Sequence, residues 1–170
     1  MSHYFTNENL KSNIKKVLVK VSNNTFTFNT DNGVFSKKGM DFGTRTLIEV
    51  LLNENLYGDV LDVGCGYGVI GIVISILTNS YVDMIDVNKR AIVSMVDVNL
   101  RAIHLTKMNI KENKVNNCNA FVSNVYENID KKYDFIITNP PIRAGKDIVY
   151  KILKEAKDYL KENGCLYYVI

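Results

Sequence analysis

From residue 59 onward, short apolar stretches typical of β-strands alternate with longer stretches that have helical periodicity. Strands that alternate with helices imply crossover connections and a parallel sheet with helices on both faces. This alternation constrains the fold more than any other feature, and it predicts a doubly wound, mostly parallel α/β domain. Strands are predicted at residues 59–63, 81–85, 120–122, 133–138 and 165–170, and helices at 69–77 and 147–162, with a long amphipathic segment ending near residue 113.

The first 45 residues have a different pattern. Residues 16–39 alternate apolar and polar side chains between turn signals, which predicts short antiparallel strands. A helix is predicted next, at residues 44–56. With 46% hydrophobic and 23% charged residues, a chain of 170 residues is long enough for one core and too short to suggest two. We therefore expect one domain, with a β segment at 1–45 and an α/β core at 46–170.

A glycine-rich loop with Gly64, Gly66 and Gly68 separates the first predicted strand of the core from the next helix. Glycine lets the backbone turn sharply and approach a ligand closely. Asp86 ends the following strand, 18 residues after Gly68, where its carboxylate suits the two hydroxyls of a ribose. Together these features predict a cofactor that contains adenosine.

Asp62, two positions before the first glycine of the loop, favours one adenosine-containing cofactor over another. Gly64, Gly66 and Gly71 satisfy a loose G-x-G spacing, so the spacing alone leaves a nicotinamide dinucleotide open. Asp62 would repel a pyrophosphate, whereas it suits the cationic sulfonium and amino-acid tail of S-adenosylmethionine. A nicotinamide dehydrogenase is the weaker alternative, because no proton-transfer His, Tyr or Lys is evident beside the loop.

The only two prolines of the chain, Pro140 and Pro141, come directly after Asn139 at the end of an apolar strand. Proline cannot donate to a β-ladder and fixes its own φ, so the pair ends the strand and stiffens the start of the next loop. On these residues alone, a rigid turn remains the simpler explanation.

Four motifs in order give the chain a family resemblance. They are DVGCGYGVIG at 62–71, MIDVN at 84–88, SNVYENI at 123–129 and TNPPIRAGK at 138–146. Together with the segment at 30–49, they resemble the small-domain methyltransferases related to the ribosomal RNA guanine-N2 methyltransferase RsmC. The resemblance covers nearly the whole chain. It implies a Rossmann-like class I methyltransferase fold that binds S-adenosylmethionine.

The resemblance also implies a cofactor site built from the glycine loop, the strand-end acids, one loop residue and two residues from the N-terminal side. Asp62 would lie near the methionine end of the cofactor, Asp86 at the ribose and Asn124 near the adenine. The remaining cofactor-binding residues would be Gly43, Thr44, Gly64, Gly66 and Gly68.

For catalysis, the resemblance gives the Asn-Pro-Pro segment a chemical role. The exocyclic amino nitrogen of a base is a poor nucleophile, because its lone pair is delocalised into the ring. The side-chain oxygen of Asn139 and the main-chain carbonyl of Pro140 would orient that nitrogen, and proline rigidity would hold them in place. Related enzymes often have an aromatic residue after the second proline, where this chain has an apolar wall instead. The predicted catalytic residues are Asn139, Pro140, Pro141 and Ile142.

The implied reaction is methylation of guanine N2 in ribosomal RNA, so structured RNA is the expected partner. Residues 1–45 carry a net charge of +4 and the rest of the chain −1, and such a basic segment suits a phosphate backbone as well as it suits a solvated face. A glutamine amide or an adenine N6 amine would suit the same acceptors. A cofactor-binding or RNA-binding module without turnover also stays open.

Other classes are disfavoured by residues that the chain lacks. Its three cysteines form no CxxC pair and have no metal-binding spacing with either histidine, so neither a disulfide framework nor a metal site is expected. No apolar run approaches the roughly 20 residues that a membrane helix needs. We therefore expect a cytoplasmic protein without membrane contact.

Two features bear on whether the chain is active. Residues 86–92 recur 11 residues later as 97–103, identical at six of seven positions. The extra unit would either lengthen a helix by about three turns or loop out, and spacing favours Asp86 over Asp97 as the ribose acid. The chain also ends on the apolar stretch 165–170, without the further antiparallel hairpin expected in this family. An uncovered strand of this kind would allow self-association.

Overall fold

The structure is a computed structural model that describes residues 11–86, 98–140, 142 and 145–170. Its elements, in chain order, are β1 (Lys15–Val21), β2 (Asn24–Thr30), α1 (Phe42–Asn53), β3 (Tyr57–Val63), α2 (Val69–Leu77), β4 (Asn79–Asp86), α3 (Val98–Glu112), β5 (Cys118–Val122), β6 (Tyr133–Thr138), α4 (Lys146–Tyr159) and β7 (Leu160–Tyr168).

Strands β3 to β7 form one parallel sheet in the order β5-β4-β3-β6-β7. The strand order reverses at β3, which lies between β4 and β6. In open α/β sheets, ligands bind outside the carboxyl ends of the strands at such a reversal. The predicted doubly wound, mostly parallel α/β fold is confirmed. A ligand-binding site is therefore expected at the carboxyl end of β3.

The two faces of this sheet are covered by different parts of the chain. Val60 of β3 belongs to a core that it shares with the hairpin β1-β2 and with α1, α2 and α3. Leu61 and Val63 belong to a second core with Ile152 of α4 and Tyr126 of the β5–β6 connection. Because successive side chains of a strand face opposite sides, the apolar stretches of the central strands are buried on both faces.

Between residues 11 and 45, the chain forms one antiparallel hairpin, as predicted for its first two strands. Residues 32–39 are turns and bends rather than a further strand. The hairpin is joined to α3 by a buried amide, since the backbone N–H of Asn29 donates to Asn109 Oδ1 at 2.6 Å and Asn109 Nδ2 donates to the Asn29 carbonyl at 3.0 Å. The division into segments 1–45 and 46–170 stays a prediction.

Helix α1 begins and ends earlier than the predicted range 44–56. Asp41 caps its N-terminus, because Asp41 Oδ1 accepts a hydrogen bond from the backbone N–H of Thr44 at 3.1 Å. At the other end, Glu54 has extended backbone angles, φ −85° and ψ 151°, which stop the helix after Asn53.

The boundary between α4 and β7 also differs from the prediction of a helix over 147–162. The helix ends at Tyr159, because Leu160 already pairs with Tyr133 of β6. Strand β7 pairs with β6 and, within the part of the chain that the structure describes, has no strand on its other side. Self-association through this strand stays a prediction.

The repeated 11-residue unit falls between β4 and α3. Asp86, in the first copy, ends β4 as expected, and α3 begins in the second copy at Val98. Residues 87–97, including Asp97, lie outside the described residues. Among the helices that the structure describes, none is long and apolar enough to cross a membrane.

Candidate cofactor and substrate site

The glycine loop folds over the carboxyl end of β4. The backbone N–H groups of Gly64 and Cys65 both donate to the carbonyl of Ile85, at 2.8 and 2.9 Å. Gly66 has φ +57°, in the left-handed region that favours glycine, and a Cβ added there would meet nothing within 4 Å. At Gly68 an added Cβ would lie 2.8 Å from Thr106 Cγ2 of α3. The loop therefore borders open space at Gly66 and packs against α3 at Gly68.

Two polar residues of α3 hold this loop from behind. Thr106 Oγ1 donates to the carbonyl of Gly66 at 2.8 Å, and Asn109 Nδ2 donates to the carbonyl of Tyr67 at 2.8 Å. Both side chains are completely buried. Neither residue was predicted from the sequence, although polar residues three positions apart on a buried helix face were the available signal.

Asp86 links the end of β4 to the same loop. Its Oδ2 accepts a hydrogen bond from the backbone N–H of Gly66 at 2.8 Å. The carbonyl of Asp86 accepts from the N–H of Ser123 at 3.2 Å, and Asn124 is the next residue. The side-chain amide of Asn124 donates to Glu127. The fold thus brings Gly66, Asp86 and Asn124, which were predicted to bind the cofactor, to one edge of the sheet.

Asp62 lies beneath the loop and is completely buried. Its Oδ2 accepts from the backbone N–H of Gly71 at 3.0 Å, whereas Oδ1 has no partner among the described residues. Burial raises the pKa of Asp62 to about 7, the hydrogen bond from Gly71 opposes this rise, and the charge of Asp86 adds to it. A buried acceptor without a donor fits a site that receives a cation, because a nearby positive charge stabilises the ionised carboxylate.

Asn139 lies at the carboxyl end of β6, next to the start of the glycine loop. The pairing of Asp62 with Ile137 sets this register, and Thr138 Oγ1 donates to the carbonyl of Val63 at 2.7 Å. Asn139 Nδ2 donates to Thr44 Oγ1 at 2.9 Å and lies 3.4 Å from Asp41 Oδ1. Asn139 therefore stands between the glycine loop and the start of α1.

The start of α1, for which cofactor contacts were predicted from the sequence, meets Asn139. Thr44 bonds to the Asn139 amide, and a Cβ added to Gly43 would lie 3.7 Å from Asn139 Nδ2. Asp41, which the sequence analysis did not name, reaches the same amide. Contact of Gly43 and Thr44 with the cofactor stays a prediction.

The remaining predicted catalytic residues differ in exposure. Pro140 is buried, Ile142 is 59% exposed, and Pro141 lies outside the described residues. Phe42, the first residue of α1, is 83% exposed beside the residues that bond Asn139. In the described ranges, no group of three or more His, Cys, Asp or Glu side chains is arranged to hold a metal ion.

A parallel sheet with a glycine loop after its first strand and an acid at the end of the second is typical of Rossmann-like nucleotide-binding domains, a group that includes the class I methyltransferases. Residues 25–170 match the family model of the methyltransferase small domain, and the chain belongs to that family. The predicted class, an S-adenosylmethionine-dependent methyltransferase, is confirmed at the level of the family.

Two relatives and one solved structure illustrate the likeness. YbxB of Bacillus subtilis (strain 168), a protein described as uncharacterised, is 40% identical over 99% of this chain and 80% of its own length. The ribosomal RNA small subunit methyltransferase C of Haemophilus influenzae (strain 86-028NP) is 35% identical over 78% of this chain and 38% of its own. The T. thermophilus 16S rRNA N2 G1207 methyltransferase (RsmC), solved with AdoMet and guanosine, superposes with a TM-score of 0.78 at 22% identity, over 91% of this chain and 41% of that one.

These lengths limit what the likeness shows. The chain spans less than half of either RsmC protein described above. At 22% identity, the T. thermophilus structure shows the shared fold. The substrate of this chain is therefore a matter for proposal.

Proposed function

We propose that this chain transfers a methyl group from S-adenosylmethionine to guanine N2 in ribosomal RNA. The observation that carries the proposal is the position of Asn139 at the carboxyl end of β6, beside the glycine loop that Asp86 supports. Relatives named as small subunit methyltransferase C, and the guanosine in the T. thermophilus structure, support guanine as the target.

Four residues would hold the cofactor. Asp86 would accept from the ribose hydroxyls, Asn124 would lie by the adenine, and Gly66 provides open space for a close approach. Asp62 would stabilise the positive end of the ligand through its buried carboxylate. When bound, S-adenosylmethionine supplies a methyl group on a positively charged sulfur.

Asn139 and Pro140 would prepare the amino group for reaction. The Oδ1 of Asn139 and the main-chain carbonyl of Pro140 would each accept one N–H of the guanine amino group. Two acceptors at fixed positions orient the nitrogen lone pair and stabilise the positive charge that develops on nitrogen as a bond to carbon forms. The proline ring keeps the backbone of Pro140 rigid, so this orientation exists before the substrate arrives.

Two exposed apolar side chains, one close in sequence to Asn139 and the other to its partners Asp41 and Thr44, would contact the base. Ile142 is 59% exposed and Phe42 is 83% exposed. An aromatic ring stacks on any base through its flat face, with a contribution of about 1–3 kcal/mol per base. We assign that stacking to Phe42, with Ile142 as an apolar wall.

Basic residues near the glycine loop support an RNA substrate. Lys37 and Lys38 are exposed, on a segment held to the loop because Tyr67 Oη donates to the carbonyl of Ser36 at 3.2 Å. Positive charge at this place would attract the phosphates that flank a target base.

The experiment is to incubate the chain with labelled S-adenosylmethionine and unmodified ribosomal RNA, free or within small subunits, and to identify the modified nucleoside by mass spectrometry. N2-methylguanosine in the RNA supports the proposal. N6-methyladenosine, or label in a glutamine of ribosomal protein, would replace guanine with another planar amino group. Cofactor binding without any transfer would favour a binding module.

A further inference from the structure

The side-chain amide of Asn139 is held in one of its two orientations. Its Nδ2 donates to Thr44 Oγ1 at 2.9 Å and faces Asp41 Oδ1 at 3.4 Å. A carboxylate oxygen accepts hydrogen bonds and cannot donate them, so the NH2 end of the amide has to face Asp41. The Oδ1 of Asn139 is then turned away from α1, and in the described part of the chain no donor is bonded to it.

The two acceptors are themselves fixed. Asp41 caps α1, and the same Oδ1 that faces Asn139 also accepts the backbone N–H of Thr44 at 3.1 Å. Thr44 is 7% exposed, in the first turn of the helix. Gly43 allows this close approach, because an added Cβ would lie 3.3 Å from Asp41 Oδ1 and 3.5 Å from Val169 Cγ1. The helix start is therefore a rigid frame for the amide.

Amide orientation decides whether Asn139 can act on an amino group. A half-turn of the amide would bring its oxygen against the Asp41 carboxylate and would present NH2 to the substrate. A donor facing the N–H bonds of an amino group cannot orient it. We propose that Asp41 and Thr44 are positioning residues that keep Asn139 Oδ1 available to the substrate amino group. The inference rests on the proposed function.

The first test is Thr44→Val, which keeps the shape of the side chain and removes the oxygen that Asn139 bonds. We expect kcat for methyl transfer to fall about 10- to 100-fold, since misplacing a reacting group by about 1 Å has effects of this size. Because Thr44 is also predicted to contact the cofactor, kcat is measured at saturating S-adenosylmethionine, and the Kd is measured in the same variants. Thr44→Ser, which keeps the oxygen, should retain most of the activity of the parent.

A matched control lies in the same helix. Thr46 Oγ1 donates to the carbonyl of Phe42 at 3.0 Å and does not bond Asn139. Thr46→Val removes a hydroxyl in the same way, so its kcat should equal that of the parent. If Thr46→Val lowers kcat as much as Thr44→Val, the effect comes from α1 as a whole and the inference is wrong.

A second readout does not depend on turnover. In a ¹⁵N spectrum, the side-chain NH2 signals of Asn139 are assigned by their loss in Asn139→Ala. In the parent these protons should exchange slowly with water, and in Thr44→Val they should exchange faster. If Thr44→Val fails to fold, Asp41→Ser provides the same comparison with a side chain that still caps the helix.

The outcomes separate this inference from the proposed function. Loss of transfer in Asn139→Ala, with normal kcat and unchanged amide exchange in Thr44→Val, would overturn the positioning role and leave the proposed function standing. A parent chain that methylates no substrate would overturn the proposed function, and slow amide exchange in that chain would still support the fixed orientation.

Discussion

The carboxylate of Asp86 accepts a hydrogen bond from the backbone N–H of Gly66 at 2.8 Å. This contact joins the end of β4 to the point of the glycine loop where an added side chain would meet open space. The acid predicted to bind ribose therefore also shapes the loop that would approach the cofactor. Substitutions at position 86 can separate these two roles.

Asp86→Asn should bind S-adenosylmethionine more weakly and remain as stable as the parent. Asparagine keeps an oxygen that accepts from Gly66, but it loses the charge that strengthens hydrogen bonds to ribose. We expect roughly 10- to 100-fold weaker binding by calorimetry, from about 1.5–3 kcal/mol for a charged hydrogen bond. Asp86→Ala should also lower the free energy of unfolding, because the N–H of Gly66 loses its acceptor. Equal stability of both variants would show that the contact does not support the loop.

Binding of S-adenosylmethionine should strengthen as the pH rises through about 7, the pKa of Asp62. Below this pH the carboxyl is protonated and neutral, and above it the carboxylate attracts the cationic ligand. Between pH 6 and 8 we expect up to about tenfold tighter binding, because each pH unit on either side of a pKa shifts the charge ratio tenfold. Asp62→Asn is the control, since any pH dependence that remains in it belongs to the ligand.

The carboxyl of Asp62 should also make the ligand-free protein less stable at neutral pH than at acidic pH. Asp62 ionises near 3.8 in the unfolded chain and near 7 in the folded one. The folded state thus binds a proton that the unfolded state has lost, and stability falls as pH rises between these values. The stability of Asp62→Asn relative to the parent should increase over this window by up to about 4 kcal/mol. Denaturant unfolding at pH 4 and pH 8 measures the change, and a constant difference would contradict the raised pKa.

Deleting residues 87–97 should give a chain that folds and binds the cofactor. The deletion joins Asp86 to Val98 and restores one copy of the repeat, DVNLRAI. It keeps Asp86 beside Gly66, and it keeps the ion pair between Arg101 and Asp31. We expect cooperative unfolding and an S-adenosylmethionine Kd within about threefold of the parent, a difference below 1 kcal/mol.

A deletion of equal length, Val98 to Met108, is the matched control for the repeat. It removes Arg101 and also Thr106, whose hydroxyl holds the carbonyl of Gly66. This variant should fail to fold. If the 87–97 deletion unfolds as well, the 11 deleted residues are a structural part of the domain.

Phe42→Leu should weaken binding of the RNA without affecting the cofactor. Leucine is apolar but has no flat ring to stack on a base. We expect KM for RNA to rise about 5- to 100-fold, from about 1–3 kcal/mol of stacking. Phe42→Trp, which keeps a flat aromatic ring, should bind the RNA as well as the parent does. An unchanged KM in Phe42→Leu would remove the stacking role that we assign to this residue.

Local sequence patterns predicted the sheet and the loop well, and they were weaker at contacts between distant segments. Helix α2 begins at Val69 and ends at Leu77 as predicted, because a mostly apolar run follows Gly68, interrupted only by Gly71 and Ser75. Asp86 ends β4 as predicted, since the change from apolar to polar side chains marks the strand end. Both features depend on residues adjacent in sequence.

The bond between Thr44 and Asn139 joins residues 95 positions apart, so no local pattern contains it. Thr106 is 40 positions from Gly66, so its spacing from Asn109 on one helix face could indicate a buried polar face but not the partner in the glycine loop. An isolated threonine in a helix is compatible with many environments, and only the packing of α1 and α3 against the sheet determines these partners. The helix cap at Asp41 was not predicted either, although aspartate favours that position and was a local signal for it.

The most direct test of the account measures two quantities on Asn139→Ala and on the parent: the Kd for S-adenosylmethionine by calorimetry, and the rate of labelled methyl transfer to unmodified ribosomal RNA. The account predicts a Kd within several-fold of the parent and no detectable transfer, because Asn139 orients the amino group rather than the cofactor. Parallel loss of binding and transfer would contradict it and would make Asn139 a cofactor-binding or folding residue.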